Sequence, residues 1–162
     1  MKFKLIFLAL LFSMCSNVTQ EASKEIRVVS LSTTHTEIIQ SLEAQETLVA
    51  VDSFSEVDFP VEVIDAYTVT AEELAPLDPD VVILAFDFNG IVEGLENQEI
   101  NYVLLPPAKN FKDVYSQIET IGSLVNKESE AFSTTRDMKI EINRILDNAN
   151  FGNTYVYHEI GY

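Results

Sequence analysis

Three consecutive residues, Phe86, Asp87 and Phe88, follow a run of apolar residues and carry side chains suited to meeting a ligand. The run, residues 81–85, is apolar without alternation, which is typical of a strand covered on both faces and therefore of a parallel sheet. In such sheets ligands lie beyond the carboxyl ends of the strands. We therefore predict that these two rings and this carboxylate face a bound ligand.

A hydroxyl and an imidazole also stand close together, because Ser32 and His35 follow the first predicted strand. The chain has no Gly-x-Ser-x-Gly sequence, no glycine-rich phosphate loop and no Cys/His spacing typical of a metal site. We predict a protein that is not an enzyme and has no cofactor. An exported hydrolase that uses Ser32 and His35 is the alternative from a different class.

Alternating strands and helices must position these residues. Strands are predicted at residues 26–31, 48–51, 81–85 and 102–105, and helices at 36–42, 71–77 and 89–97. Thr70 and Glu73 have the spacing of a capping box, and Asn89 is predicted to cap the helix that follows it. Residues 61–67 fit a helix and a strand equally and are left as a connector. The alternation predicts an α/β fold with a Rossmann-like parallel-sheet lobe.

Residues 111–148 have helical periodicity without proline, over a length that exceeds the helix of an ordinary α/β unit. Gly122 and the polar residues 126–130 are the positions at which we expect a bend. Residues 154–160 then predict a further strand, after which the sequence stops. A strand that begins a unit and has nothing after it is not expected to be a natural end of the chain.

The amino terminus is typical of an export signal. Lys2 and Lys4 precede the apolar residues 5–12, which are too few to span a bilayer. The only cysteine, Cys15, follows where a bacterial lipoprotein signal places the cysteine that becomes lipidated, although Met14 stands where a small residue is usual. We predict a signal peptide over 1–15, a lipid anchor on Cys15 and a tether over 16–25. The alternative is that Cys15 is discarded within a conventional signal.

The formal charge of −16 bears on the partners of the protein. Such a negative field repels polyanions, so we do not expect nucleic acid to bind. Most of these carboxylates are expected only to solvate the surface.

Four segments taken in order, residues 27–38, 48–55, 72–84 and 102–106, together with the long helix, resemble a known family. They are similar to the amino-terminal half of bacterial substrate-binding proteins of ABC importers for iron-siderophores, haem and vitamin B12. The resemblance implies two α/β lobes joined by one long helix, with the ligand in the cleft between them. On this basis residues 26–108 form the amino-terminal lobe, and residues 109–150 form the inter-lobe helix. Residues 151–162 form the start of a truncated second lobe. A stand-alone protein with a single lobe is the alternative.

The resemblance also implies roles for individual residues. Glu72 would dock onto arginines of the membrane permease, whereas by itself it would only interact favourably with a helix dipole. Aromatic rings would stack on a bulky cobalamin-like or siderophore-like ligand, and Asp87 would meet an amide or hydroxyl of it. The predicted ligand-binding residues are Thr34, His35, Phe54, Phe86, Asp87 and Phe88. As an alternative, His35 at the cleft rim and His158 in the second lobe would ligate haem iron or a metal ion.

Overall fold

The computed structural model describes residues 25–149 and Gly152. Within this part of the chain all strand pairs are parallel, and the strands form one sheet in the order β3-β2-β1-β4-β5. The strands are β1 Val28–Leu31, β2 Leu48–Asp52, β3 Glu62–Ile64, β4 Val81–Leu84 and β5 Tyr102–Leu104. The helices are α1 Thr33–Ser41, α2 Ala71–Leu74, α3 Ile91–Asn97, α4 Phe111–Leu124 and α5 Glu128–Asn148. Short 3-10 turns follow at Gln45–Thr47 and Ala75–Leu77. The predicted α/β fold is confirmed.

The apolar runs of the sequence are buried because the central strands are covered on both faces. β1 and β4 pair in register from Val28 with Val81 to Leu31 with Leu84, and every residue of both strands is buried. Side chains on one face pack with α1, α4 and α5, and those on the other face pack with α2 and α3. This two-sided burial explains why neither strand alternates between apolar and polar residues.

Two local predictions need correction. Residues 61–67 are predicted to be a connector, but they contain the edge strand β3. Its three residues are largely exposed and pair with β2 alone. Because β3 has only three residues, it is too short for a periodicity that distinguishes a strand from a helix. The helix predicted to begin at Asn89 begins at Ile91, directly after Gly90, which has a left-handed backbone conformation. Asn89 does not cap this helix, because its side-chain amide donates to the carbonyl of Tyr67.

The region 111–148 is helical as predicted, and the bend expected near residues 126–130 is a complete break that divides it into two helices, whereas Gly122 lies within the first of them. Asn126 adopts a left-handed φ of 58° between them, and α5 returns along α4. The hydroxyl of Thr135 on α5 donates to Glu119 on α4 at 3.2 Å, and Lys139 lies 3.8 Å from the same carboxylate. The long helix of the fold is therefore α5, with 21 residues.

Several sequence predictions lie outside the described residues. These are the signal peptide, the lipidation of Cys15, most of the tether, the strand at 154–160 and the position of His158. In residues 25–149, no helix combines the length and the hydropathy needed to cross a bilayer.

Candidate functional site

An open cavity of about 830 Å³ lies at the carboxyl edge of the sheet and reaches into the groove between α1 and the α4–α5 pair. The segments that follow all five strands contribute to its lining. The residues from these segments are Ser32, Thr33, Thr34, Phe54, Ala66, Tyr67, Ala85, Phe86, Phe88, Leu105, Pro107 and Ala108. A concave, mostly apolar site with a few polar groups is the usual form of a small-molecule site.

The strand order explains why the cavity forms at this edge. The chain passes from β1 to β2 on one side of the sheet and later returns to β4 on the other side of β1. The connection after β1 packs on one face and the connection after β4 packs on the opposite face. The two connections therefore diverge beyond β1 and β4 and leave a crevice, which is where ligands bind in open α/β sheets.

Four aromatic rings form a continuous row along the cavity, which we call the aromatic row: Phe54, Tyr67, Phe88 and Phe86. Successive ring centroids lie 6.4, 4.6 and 5.3 Å apart. Phe54 is 68% exposed, Tyr67 53% and Phe86 50%. Aromatic rings grouped and open to solvent are unusual unless a ligand or partner covers them. The structure thus brings the predicted Phe54, Phe86 and Phe88 together.

Tyr67 is the member of the row that sequence reasoning missed. It follows β3, and this strand was not recognised, so nothing placed residue 67 at a strand end. The available signal in the sequence was an aromatic residue three positions after the apolar residues Val63 and Ile64.

Asp52, the last residue of β2, ties three of the loops together from a buried position. One carboxylate oxygen accepts from the hydroxyl of Thr33 at 3.5 Å and from the backbone amide of Phe54 at 3.3 Å. The other oxygen accepts from the amide of Ala66 at 3.4 Å. A buried carboxylate needs such donors, and here they fix the loops that carry Phe54 and Tyr67.

The loop after β4 is fixed by Asn89 and Asp87. Asn89 bonds to the carbonyl of Tyr67, which joins this loop to the one after β3. Asp87 accepts from the amide of Val92 in the first turn of α3 at 3.1 Å, and it is not among the residues that line the cavity. One oxygen of the exposed Asp87 carboxylate is therefore engaged at a helix start, where an anion is favourable, and the ligand contact of Asp87 stays a prediction.

His35 was predicted in a loop at the cleft rim, and its position needs correction. Because α1 begins at Thr33, His35 lies within a helix and is only 2% exposed. The imidazole makes a backbone hydrogen bond to Leu105, and its Nδ1 has no partner in the described part of the chain. Burial disfavours the charged imidazolium and lowers the pKa of His35 from 6.5 to about 4, against the smaller opposing effect of the Leu105 bond.

This environment makes His35 a structural residue of the cavity wall. Its bond to Leu105 holds the end of β5, and the side-chain amide of Gln117 supports the same loop by donating to the carbonyl of Pro106 at 2.6 Å. One imidazole nitrogen is engaged and the other is buried without a partner in the part of the chain that the structure describes, so His35 presents no exposed nitrogen in this arrangement. Its role as a ligand of haem iron or of a metal ion stays a prediction. The described residues also contain no cluster of three or more His, Cys, Asp or Glu side chains suited to a metal ion.

Thr34 lies in the first turn of α1, ahead of the helix start predicted at residue 36, and Glu72 lies at the start of α2 as the sequence predicts. Thr34 is exposed and lines the cavity beside β1. Glu72 is exposed in the first turn of α2, and the capping box beside it is confirmed: Thr70 N donates to Glu73 at 2.9 Å, and Glu73 N donates to the Thr70 hydroxyl at 3.4 Å. Glu72 therefore projects from a helix start that comes soon after the carboxyl end of β3.

Solved structures with the same fold are known. A possible iron-binding periplasmic solute-binding protein from Staphylococcus epidermidis is 22% identical with a TM-score of 0.67, and the match covers 81% of this chain and 54% of that protein. The periplasmic haem-binding protein HutB of Vibrio cholerae is 23% identical with a TM-score of 0.69, covering 79% and 52%. An ABC-type Fe3+-hydroxamate transport protein from Saccharomonospora viridis is 21% identical with a TM-score of 0.58, covering 75% and 50%.

These likenesses show the fold, and this chain spans about half the length of the structures it matches. A comparison with curated proteins gives no match. The sequence profile of the periplasmic binding proteins matches residues 28–149, which is most of the chain and includes every element of the lobe, α4 and α5. The chain therefore belongs to the periplasmic binding protein family.

Proposed function

We propose that this protein captures a large metal chelate of the iron-siderophore or haem class at the carboxyl edge of its sheet and delivers it to an ABC permease. The observation that carries the proposal is the aromatic row, which lies open along a cavity of about 830 Å³. Flat, stiff rings give a large contact area with a bulky ligand at a small cost in side-chain entropy. The family is one of solute-binding transport proteins and not an enzyme family.

The fixed geometry of the loops supports capture in a preformed site. Asp52 joins the loops after β1, β2 and β3, and Asn89 joins the loop after β4 to Tyr67. Because these bonds already order the rings, little further ordering is needed when a ligand binds, and this favours affinity.

The class of ligand is supported by the relatives and by the site together. Similar structures include a haem-binding protein and a protein of Fe3+-hydroxamate transport. A ferric siderophore, a haem and a cobalamin all present apolar surfaces that suit stacked rings. We place the iron chelates first because the relatives point to them, and we keep cobalamin as a further candidate.

Since His35 presents no exposed nitrogen in this arrangement, a haem ligand would use another iron-binding group. The phenol of Tyr67 is exposed in the aromatic row, and tyrosine is a known protein ligand of haem iron. In this second candidate, Tyr67 takes the role that the sequence assigned to His35, and His158 remains the candidate from the second lobe. A siderophore would use only the ring of Tyr67, by stacking on it, whereas haem would also use the Oη atom as an iron ligand.

Family membership implies an exported, periplasmic location. We propose in addition that Cys15 anchors the protein to the membrane and that Glu72 contacts arginines of the permease. The exposure of Glu72 in the first turn of α2 supports this contact, because a docking carboxylate must be accessible.

The test is calorimetric titration of the purified protein with a ferric trihydroxamate, haemin and cobalamin. Tyr67→Ala removes the central ring and Tyr67→Phe removes only Oη, while Phe132→Ala is a control, because Phe132 is 65% exposed on α5 and does not line the cavity. We expect Tyr67→Ala to weaken binding by about tenfold or more, the effect of losing one well-packed aromatic contact. Phe132→Ala should leave the affinity unchanged.

Tyr67→Phe separates the two candidate ligands. For stacking alone, Tyr67→Phe binds the trihydroxamate as the parent does. For haem ligation, it weakens haemin binding and shifts the Soret absorbance. Equal effects of Tyr67→Ala and Phe132→Ala would show that the aromatic row is not the binding site.

A further inference from the structure

Charge is distributed very unevenly over the lobe. Between Arg27 and Lys109 every side chain with a full charge is an Asp or a Glu, and the only other titratable base in that stretch is the buried His35. Arg27 itself precedes β1 at the opposite edge of the sheet, where its guanidinium donates to the carbonyls of Leu77 and Asp78. The carboxyl edge therefore receives no positive charge from the sheet or from α1 to α3.

The cavity repeats this pattern. Its charged lining residues in the described chain are Glu37 and Asp52, and neither Lys nor Arg lines it. The basic residues nearest to lining residues along the chain are Lys109, Lys112, Arg136 and Lys139, and none of them lines the cavity. Arg136 pairs with Asp137, and Lys139 pairs with Glu119. The faces of aromatic rings are also electron-rich and attract cations. Among the described residues that line the cavity, an anionic group would therefore meet carboxylates and ring faces and no cation.

We infer that this wall of the site selects a chelate that presents an uncharged or cationic surface, such as a ferric trihydroxamate, and discriminates against chelates that present carboxylates or catecholates to it. The inference rests on the proposed function and specifies the ligand chemistry of the same site. A haem bound here would turn its propionates away from the aromatic row. Because low-dielectric walls strengthen local fields, one unit of ligand charge matters more here than in water.

The test compares chelates that share one core and differ only in charge. Ferrioxamine B carries one positive charge on its free amine, its N-acetyl derivative is neutral, and its N-succinyl derivative carries one negative charge. Haemin and its bis-amide, in which both propionates are converted to amides, form a second pair. We expect affinity to fall from the cationic to the anionic member, by about tenfold across the ferrioxamine series. The difference should shrink as salt is added.

Variants with equal changes in net charge identify the source of the selectivity. Glu37→Arg places a cation at the cavity rim, whereas Glu93→Arg makes the same change on the exposed surface of α3, away from the lining. Glu37→Arg should remove or reverse the preference, and Glu93→Arg should keep it.

The outcomes separate this inference from the proposed function. If no member of either series binds, the proposed function itself fails. If chelates bind but the anionic member binds as tightly as the cationic one, or more tightly, the function stands and the charge selectivity is wrong. Equal effects of Glu37→Arg and Glu93→Arg would also overturn it, because the selectivity would then not arise at the cavity.

Discussion

The burial of His35 makes the stability of this protein depend on pH in a predictable direction. The pKa of His35 is about 4 in the folded protein and about 6.5 in an unfolded chain. As pH falls below 6.5, the unfolded state takes up a proton that the folded state refuses, so folding becomes less favourable. The contribution of neutral His35 is therefore complete above pH 6.5 and is lost progressively between pH 6.5 and 4.

The size of the effect follows from the two pKa values. At pH 5 linkage gives a loss of about 2 kcal/mol, and below pH 4 the loss levels off at about 3 kcal/mol.

The assay must separate His35 from the many carboxylates, whose protonation near pH 4 relieves the repulsion behind the net charge of −16. His35→Gln provides the reference, because glutamine keeps an amide donor for Leu105 but does not titrate. Urea unfolding is followed by circular dichroism from pH 7.5 to 5, and the free energies of unfolding of the two proteins are subtracted. His158, the only other histidine, is present in both proteins and cancels.

We expect the stability advantage of the parent over His35→Gln to shrink by about 2 kcal/mol between pH 7.5 and 5. Parallel pH profiles, with a constant difference between the two proteins, would show that His35 is not buried as a neutral base and would refute the reasoning. A larger advantage at pH 5 would reverse the sign and place an anion beside the imidazole.

Two further predictions concern the partner surface and the helix pair. Glu72→Arg should abolish uptake in cells with the complete transporter while calorimetry shows unchanged ligand binding, with Glu93→Arg as the control; lost ligand binding would contradict a docking role. Gly122→Ala should destabilise the protein by about 1–3 kcal/mol in urea unfolding, because the added Cβ would overlap that of Ala131 and approach the Lys127 carbonyl at 3.0 Å. The control Ser123→Ala lies on the exposed side of α4, and a gain in stability at Gly122, as helix propensity alone predicts, would disprove the close approach.

The sequence by itself determined the fold class of this protein. Unbroken apolar runs such as residues 81–84 require cover on both faces, and alternation with short helices then allows few arrangements other than a parallel sheet. The capping box at Thr70 and Glu73 was also readable, because it depends on residues three apart in the chain. The positions of Phe86 and Phe88 followed from the rule that strand ends meet ligands, and Phe54 was added by the resemblance to the family.

Only the tertiary structure decided which of these residues act together. Tyr67 joined the aromatic row because β3, too short to leave a distinguishing periodicity, adds its end to the same edge of the sheet. His35 became a buried residue of the cavity wall instead of a residue of the rim, because α1 begins early enough to turn the imidazole into the core. α4 and α5 became a pair because the chain reverses completely at the left-handed Asn126, where the sequence predicts only a bend. In each case the outcome depends on contacts between residues distant in sequence, whereas local patterns report only on neighbours along the chain.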